Sequence, residues 1–432
     1  MITKKLIEKI EGEAELFLEK KHNQISFATV SFGFFRGFDT LLHNKNPLDA
    51  LVYTPRICGI CGHSHLYATA LALEDAYRQS GLKIEVPQKA KEIREITLIL
   101  EIVQNHIKWL YFVLIGEIQT LTKESDTKTQ LKGAYCSAKL SSIIALFSGQ
   151  YPHASYMLPG GITSDITHIE LLKAQTLLDE LIIFLEKELF GTEYEAIVEF
   201  STCKDFNTLN GTLKEIEADL IKADMHTKGF GYDRFLTLGE HSFNTPAKIK
   251  KTIKQVANTK YISTQKSYAP HKKSYALNAL YKEEYIEVGP LARAMANNYT
   301  LIKNIHRRYK DSTYSRVIAR IYEIPLLLLK VKKLLNSLDV TTSSYAPPPP
   351  LKKVDATGIG VVEAPRGVLL HTVTVKNNQI KNYEIITPTQ FNLASGTKKY
   401  PSLVQKALNG VDEKEVSLIF RSFDVCSVCT TH

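Results

Sequence analysis

The sequence predicts an α+β chain, mainly α, in which a large buried helical core carries small antiparallel sheets from the two chain ends. Three observations predict it. Apolar residues recur at three- and four-residue steps through the middle of the chain. β-forming runs lie near both ends, and a proline tract interrupts the helical pattern before the second of them.

Taken in order, residues 24–32, from Gln24 to Phe32, are rich in β-formers and read as a strand, with residues 5–16 as its candidate partner. Helical pattern runs from about 65 to 121. Pro87 stands where a helix can begin, and Ile93, Ile96, Leu100, Val103, Ile107, Leu110 and Leu114 form one apolar face. Ile99, Ile102 and Phe112 widen that face, so the helix is expected to be buried on more than one side. Further helical patterns cover about 128–148, 169–190, 211–223 and 288–338. Residues 341–352 hold four consecutive prolines and read as a stiff connector. Beyond it, residues 368–376 and 379–387 alternate around Asn377-Asn378, a hairpin signal, and helical pattern resumes at 401–409. The expected segments are therefore 1–64 with strands, 65–340 helical, the connector at 341–352, and 353–432 mixed.

The 432 residues carry a formal net charge of +9, with 44% hydrophobic and 23% charged residues, as in ordinary globular proteins. The lysines read as spread along the whole chain, which predicts no nucleic-acid partner. The charged N-terminus, Met1 to Leu16, lacks the apolar core of a secretory signal. The best apolar run, Trp109–Gly116, is far short of a bilayer's roughly 20 residues, so no membrane span and a cytoplasmic location are expected.

Four of six cysteines form two C-x-x-C pairs, Cys58/Cys61 and Cys426/Cys429; Cys136 and Cys203 stand alone. A disulfide framework belongs to small secreted chains, so reduced thiols are expected. Four soft sulfurs suit zinc, iron–sulfur clusters, copper(I) or nickel. The pairs lie about 365 residues apart, unlike a zinc ribbon's roughly 15–20. The cysteines alone leave structural zinc, a redox dithiol and a catalytic metal open.

The flanking residues narrow this. Arg56-Ile-Cys-Gly-Ile-Cys61-Gly-His-Ser-His65 matches R-x-C-G-x-C-x-x-x-H, and Asp424-Val-Cys426-Ser-Val-Cys429-Thr-Thr-His432 matches D-P-C-x-x-C-x-x-H except that Val425 replaces Pro. In both, the chain resembles the large subunit of nickel–iron hydrogenases. Lys9-Ile-Glu11-Gly12, Phe35-Arg-Gly-Phe-Asp39, Glu287-Val-Gly-Pro-Leu-Ala-Arg293, Glu363-Ala-Pro-Arg366-Gly367 and Ile386-Thr-Pro-Thr389-Gln-Phe-Asn392 are similar to further blocks of that family, in the same order along nearly the whole chain.

The resemblance implies a single hydrogenase large-subunit-like domain over 1–432 that cleaves or forms H2. It implies nickel on Cys58, Cys61, Cys426 and Cys429, with Cys61 and Cys429 also bridging to an iron that holds carbon monoxide and cyanide. Cys426 would be the base that takes the proton in heterolytic cleavage, and Glu11 would relay that proton onward. Arg366 would stand over the metals and, with Thr389, hydrogen-bond the cyanides. Asp424 would pair with Arg366 or nearby backbone. A magnesium or similar hard ion is implied at Asp39, the backbone oxygen of Ile385 and His432, although Asp39 replaces the family's Glu and is one methylene shorter. Asn105 stands where the family often has Asp. His65 and His106 are expected to tune or pack around the cluster.

Too few cysteines remain for an electron relay, so an iron–sulfur small subunit is the implied partner in a heterodimer. Tyr151–Gly161, with His153, Gly160 and Gly161, resembles a segment facing it. Maturation proteins would build the metal centre and, in most of the family, trim a tail after the terminal His. H2 oxidation is the favoured direction. The competing readings are a hydrogen-sensing regulatory subunit with the same site and a quinone-site subunit of complex I type; the latter lacks the four cysteines.

Overall fold

The computed structural model describes residues 2–8, 12–122, 128–250 and 253–431. The N-terminal sheet is an antiparallel meander of β1 (Ile2–Ile7), β2 (Ala14–Lys21) and β3 (Gln24–Ser31). The strand at 24–31 is where the sequence places it. Its direct partner is Ala14–Lys21, joined through His22 and Asn23, both with positive φ, as a two-residue hairpin turn requires. β1 then adds to the far side of β2.

Helix α1 (Gly62–Gln79) starts immediately after Cys61, and α2 (Gln88–Trp109) starts after Pro87. A π-helical turn, Leu110–Leu114, carries α2 on into Ile115–Thr122. The joined rod Gln88–Thr122 is long and apolar enough by length and composition to cross a bilayer, contrary to the shorter run expected from sequence. Its most apolar window is 89% buried within the fold, which accounts for the apolarity. Helix α3 (Lys128–Ser148) packs on this centre, and α4 (His168–Leu185) packs on α3; Thr167 and Glu170 form a capping box that starts α4.

The tract 65–340 is not helical throughout. Besides a short antiparallel pair, Met157–Leu158 with Gly161–Ile162, two small sheets lie between the helices, β4 (Arg234–Thr237), β5 (Ala247–Lys250) and β6 (Ile253–Gln255) in one, β7 (Ile262–Lys266) and β8 (Leu277–Tyr281) in the other. Nor are the lysines evenly spread: nine fall between 248 and 282. Strands of three to five residues are too short for alternation to stand out, and Lys248 takes a buried position where the pattern calls for an apolar residue. The pattern at 288–338 resolves into three helices, Pro290–Ala296, Thr300–Tyr309 and α5 (Thr313–Ser337), broken at Asn298 and Lys310, which both have positive φ.

The C-terminal sheet is β9 (Ala356–Ala364), β10 (Gly367–Lys376) and β11 (Gln379–Ile386), with Asn377 and Asn378 at positive φ in the last turn, as the hairpin signal predicts. β9 lies directly on α1. A Cβ at Gly358 would meet Ala72 O at 2.1 Å and Ala76 N at 2.2 Å; one at Gly360 would meet Ala68 O at 2.0 Å. Alanines one helical turn apart and glycines two apart on the strand thus bring two backbones into contact, which locks the start of α1 to the β9–β10 turn.

A second contact fixes the same helix end. Glu101 of α2 is fully buried, and its carboxylate accepts from His63 N (2.8 Å), Ser64 N (2.9 Å) and Ser64 Oγ (2.6 Å). It supplies acceptors to the first turn of α1, whose N–H groups have no partners within the helix. Burial raises the carboxyl to about 7 despite these donors.

Two outcomes follow from these contacts. Gly360→Val should be strongly destabilising, by about 1–3 kcal/mol or more, because backbone must separate to admit the side chain; a thermal melt within 2 °C of the parent, roughly the effect of under 1 kcal/mol in a chain this size, would contradict it. For Glu101 the folded value lies above the ordinary 4.5, so the folded chain holds a proton that the unfolded chain has lost. Its contribution therefore declines as pH rises from 4.5 through 7, by up to about 3 kcal/mol. Urea unfolding of the metal-free chain should show that decline flattened in Glu101→Gln; an unchanged slope would remove Glu101 as its source.

Candidate metal centre

The first cysteine pair sits between a 3-10 turn, Thr54–Arg56, and α1. Gly62 is forced by closeness, since a Cβ there would lie 2.6 Å from Pro55 O. The second pair brackets the start of a one-turn helix, α6 (Ser427–Thr430): Cys426 precedes it and Cys429 lies on it. Thr389 Oγ1 accepts from Cys426 N at 3.2 Å and so fixes the first residue of the pair.

All four sulfurs lie within 4.8 Å of one another and all four residues are buried. Cys58 and Cys426 are 3.6 Å apart, Cys61 and Cys429 3.4 Å, and Cys426 and Cys429 2.8 Å. Four bonds of ~2.3 Å to a single ion would set sulfurs roughly 3.8 Å apart, so the first two separations suit a shared metal. Charge points the same way. Hydrogen bonds from Cys426, Cys429 and Cys61 hold the Cys58 thiol well below the ordinary range. Hydrogen bonds with Cys426, Cys429 and Cys58 push Cys61 up, and burial pushes Cys429 up. The thiols thus compete for one negative charge, and a bound cation would relieve that competition.

Arg366 reaches the site from the β9–β10 turn. Its Nη1 donates to Asn105 Oδ1 (3.2 Å), and its Nε is 3.2 Å from Asp424 Oδ1. Asp424 also lies 2.8 Å from Arg320 of α5, whose guanidinium rests 4.5 Å from the Trp109 ring. Both ion pairs are buried and close in distance, although their N–H bonds do not point straight at the oxygens. Gly367 has φ +124, and a Cβ there would meet Gly289 N at 2.5 Å. Glycine at that position lets the Arg366 turn lie against Gly289. A small, largely apolar cavity is lined by Cys61, His65, Pro365, Arg366, Thr389, Cys426 and Cys429, among others.

Arg36 joins the two motifs. Its guanidinium donates to the carbonyls of Ile57, Arg56 and Val428, and its backbone N–H donates to Thr431 O (2.8 Å). Gly12 lies against the second motif too: a Cβ there would be 2.3 Å from Ser427 Oγ.

The structure therefore brings together Cys58, Cys61, Cys426, Cys429, Arg366 and Thr389, with Asp424 pairing to Arg366 as expected. Glu11 and His432 lie outside the described residues. Asp39 is in the short helix Phe38–Leu42, which packs on β11, and its Oδ1 accepts from Thr40 N; Ile385 pairs with His371 in the sheet. His65 Nδ1 is 3.0 Å from His371 Nε2, and His371 Nδ1 is 2.8 Å from Tyr383 Oη. His106 bonds Glu323 at 2.8 Å. His153 Nδ1 bonds Pro55 O, while Gly160 and Gly161 lie against Ser344–Ala346. Sequence reasoning assigned no role to Arg36, Glu101, Arg320 or His371. Glu101 left a signal, a carboxylate among the apolar positions of α2. Arg320 left none, because its partner is about 100 residues away in sequence.

Comparison with known proteins agrees with this geometry. The sequence profile of the nickel-dependent hydrogenase family matches residues 36–115 and 127–432. The chain is 23% identical to the periplasmic [NiFeSe] hydrogenase large subunit of Desulfomicrobium baculatum, covering 98% of this chain and 93% of that one. It is 26% identical to the coenzyme F420 hydrogenase subunit alpha of Methanocaldococcus jannaschii, covering 98% and 91%. The solved Ni-Fe-Se hydrogenase of D. vulgaris Hildenborough in the reduced state superposes with a TM-score of 0.85 at 21% identity over all of both chains. With two cysteine pairs closed on one buried point and the family profile spanning most of its length, the chain belongs to the nickel-dependent hydrogenases, as a large subunit whose four-cysteine cluster is compatible with a nickel–iron site.

Proposed function

We propose that the chain catalyses reversible heterolytic cleavage of H2, running toward oxidation, and passes electrons to an iron–sulfur small subunit. The observation that carries this reading is the buried four-thiol cluster with a guanidinium held at the edge of its apolar cavity. Cys58, Cys61, Cys426 and Cys429 would hold a nickel–iron pair, with Cys61 and Cys429 assigned to both metals and carbon monoxide and cyanide to the iron; that group would supply the chemistry that polarises H2 and takes up its two electrons. The chain's own residues do the rest. Cys426 accepts the proton at sulfur; Thr389 fixes the Cys426 backbone, and the Thr389 hydroxyl hydrogen would be available to donate to a cyanide nitrogen. Arg366, anchored by Asp424 and Asn105, keeps a fixed positive fork toward the cavity. Glu11 takes the proton onward; its neighbour Gly12 touches Ser427, next to Cys426, which supports that assignment. Asp39, the carbonyl of Ile385 and His432 would hold a magnesium or similar hard ion, the shorter Asp39 side chain reaching it through a water. Maturation proteins load the metals.

Matured protein should contain about one nickel and one iron per chain and show carbon monoxide and cyanide infrared bands. Stoichiometric zinc without those bands would sink the proposal, whereas Cys429→Ser should abolish them by removing a bridge. Glu11→Gln keeps the shape of the side chain but not its exchangeable carboxyl proton. It should retain metals and lose roughly 10²-fold or more in H2 turnover. Full turnover in a correctly metallated variant would take Glu11 out of the mechanism.

A further inference from the structure

Between 248 and 282 the chain has nine lysines, no arginine and no acidic residue; with Glu283 and Glu284 subtracted, the stretch holds +7 of the chain's formal +9. Much of it is surface. Lys254, Lys260, Lys266, Lys272, Lys273 and Lys282 are all exposed. Glu284 already neutralises the inner members, lying 3.0 Å from Lys248 and 2.8 Å from Lys250. Lys272 is taken up by Glu15 at 2.8 Å. Among the described residues, Lys260, Lys266, Lys273 and Lys282 have no carboxylate within ion-pair distance.

Three of those four lysines are held against aromatic rings. Lys260 and Lys282 both stand against the Tyr261 ring, at 5.0 and 4.3 Å, and Lys273 stands 4.4 Å from the Tyr275 ring. Two ammonium groups on one ring repel each other, a cost that an opposing anionic group would relieve. The lobe's edge, from Tyr275 along β8 to Lys282, is roughly 20 Å long by the rise of an extended chain. That suits one side of a standard protein interface, about 800 Å².

The edge also leads to the cysteines. Tyr275 N donates to Phe32 O, and the Tyr275 ring is 5.5 Å from that of Phe35. Phe34 and Phe35 are 64% and 58% exposed. Beside them a groove of about 300 Å³, lined by Phe32, Phe34 and Arg36, runs to Ser427 and Val428 of the second motif. A positive, tyrosine-backed strip therefore adjoins an apolar step beside the second cysteine motif.

We propose that this lysine lobe is a docking face for an acidic surface on the electron-accepting iron–sulfur subunit, with Phe34 and Phe35 as the apolar anchor. The inference rests on the proposed function, which requires such a partner close to the cysteines. A protein surface fits better than a nucleic acid, because the strip has lysine point charges and no arginine fork for base edges. The charge would steer association and fix its register.

The test uses the isolated complex and measures its dissociation constant against sodium chloride. The pair Lys260→Glu with Lys282→Glu, and separately Lys273→Glu, should weaken association at least 10-fold at low salt and lower its salt dependence. The double reversal Lys352→Glu with Lys353→Glu, on an exposed turn elsewhere, makes the same charge change as the pair and should have little effect. H2/D2 exchange, which needs the metal site and no electron acceptor, should be unchanged in every variant. Intact exchange with reversal-insensitive affinity overturns the docking face and leaves the proposed function standing. Absent nickel and absent exchange in the parent overturn the proposed function instead. Reversals that abolish sedimentation with phosphatidylserine vesicles or binding to single-stranded DNA, while the partner still binds normally, also overturn the docking face.

Discussion

Four thiols from residues 58–61 and 426–429 must meet within 4.8 Å, and most of the surrounding architecture is a consequence of that closure. One pair lies where a helix begins, the other where the chain nears its end. Bringing two segments about 365 residues apart into one buried point costs loop-closure entropy that local interactions cannot recover. Packing recovers it. Glycines of β9 let that strand touch the α1 backbone, so the β9–β10 turn with Arg366 is fixed relative to Cys61. Arg36 then ties carbonyls beside both pairs to a single guanidinium, with no dependence on side-chain identity in either motif.

The buried charges follow from the same closure. Thiolates need a positive neighbour, and Arg366 supplies it, with Asp424 between its guanidinium and that of Arg320. A buried carboxylate is costly alone and tolerable between two guanidiniums. Asn105 completes the pairing of Arg366 without a second negative charge. The combination of two arginines and one aspartate leaves net positive charge beside the sulfurs. Burial by itself would lower Arg366, but Asp424 and the cysteines outweigh it and hold the guanidinium protonated. Arg320 bears the cost of that crowding: burial lowers it to about 10, still well above neutrality.

The parts of this arrangement that were legible in the sequence are those with local chemical signatures. Cys58, Cys61, Cys426 and Cys429 are marked by spacing, Asn377-Asn378 by turn preference, and Pro87 by the helix it opens. Partners fixed by tertiary approach were not. Glu101 and Arg320 act across helices, and nothing in their own neighbourhoods names His63, Ser64 or Asp424. The sheets at 234–281 escaped for a different reason. Their strands are only three to five residues long, and buried and exposed positions do not alternate regularly along them. The apolar rod at 88–122 was underestimated because Glu101, Lys108 and Glu117 split it into shorter runs in sequence, although Glu101 is buried with the apolar residues around it.

Val425, where the related motif has proline, gains a physical reading from the backbone beside it. Asp424 has φ 60, a left-handed conformation that aspartate tolerates better than most residues but that still carries strain. A proline at 425 would press its ring against residue 424 and drive that residue toward extended geometry. Valine exerts no such pressure. The left-handed turn at Asp424 and the absence of proline after it are therefore compatible, and the two arginines on the Asp424 carboxylate supply the restraint that a rigid proline ring would otherwise contribute. In this chain the direction in which Cys426 enters the cluster is set by ion pairs on the preceding side chain and by the Thr389 hydroxyl on its own N–H, so a substitution at Arg320, remote from any sulfur in sequence, bears on the metal site through the backbone conformation of one residue.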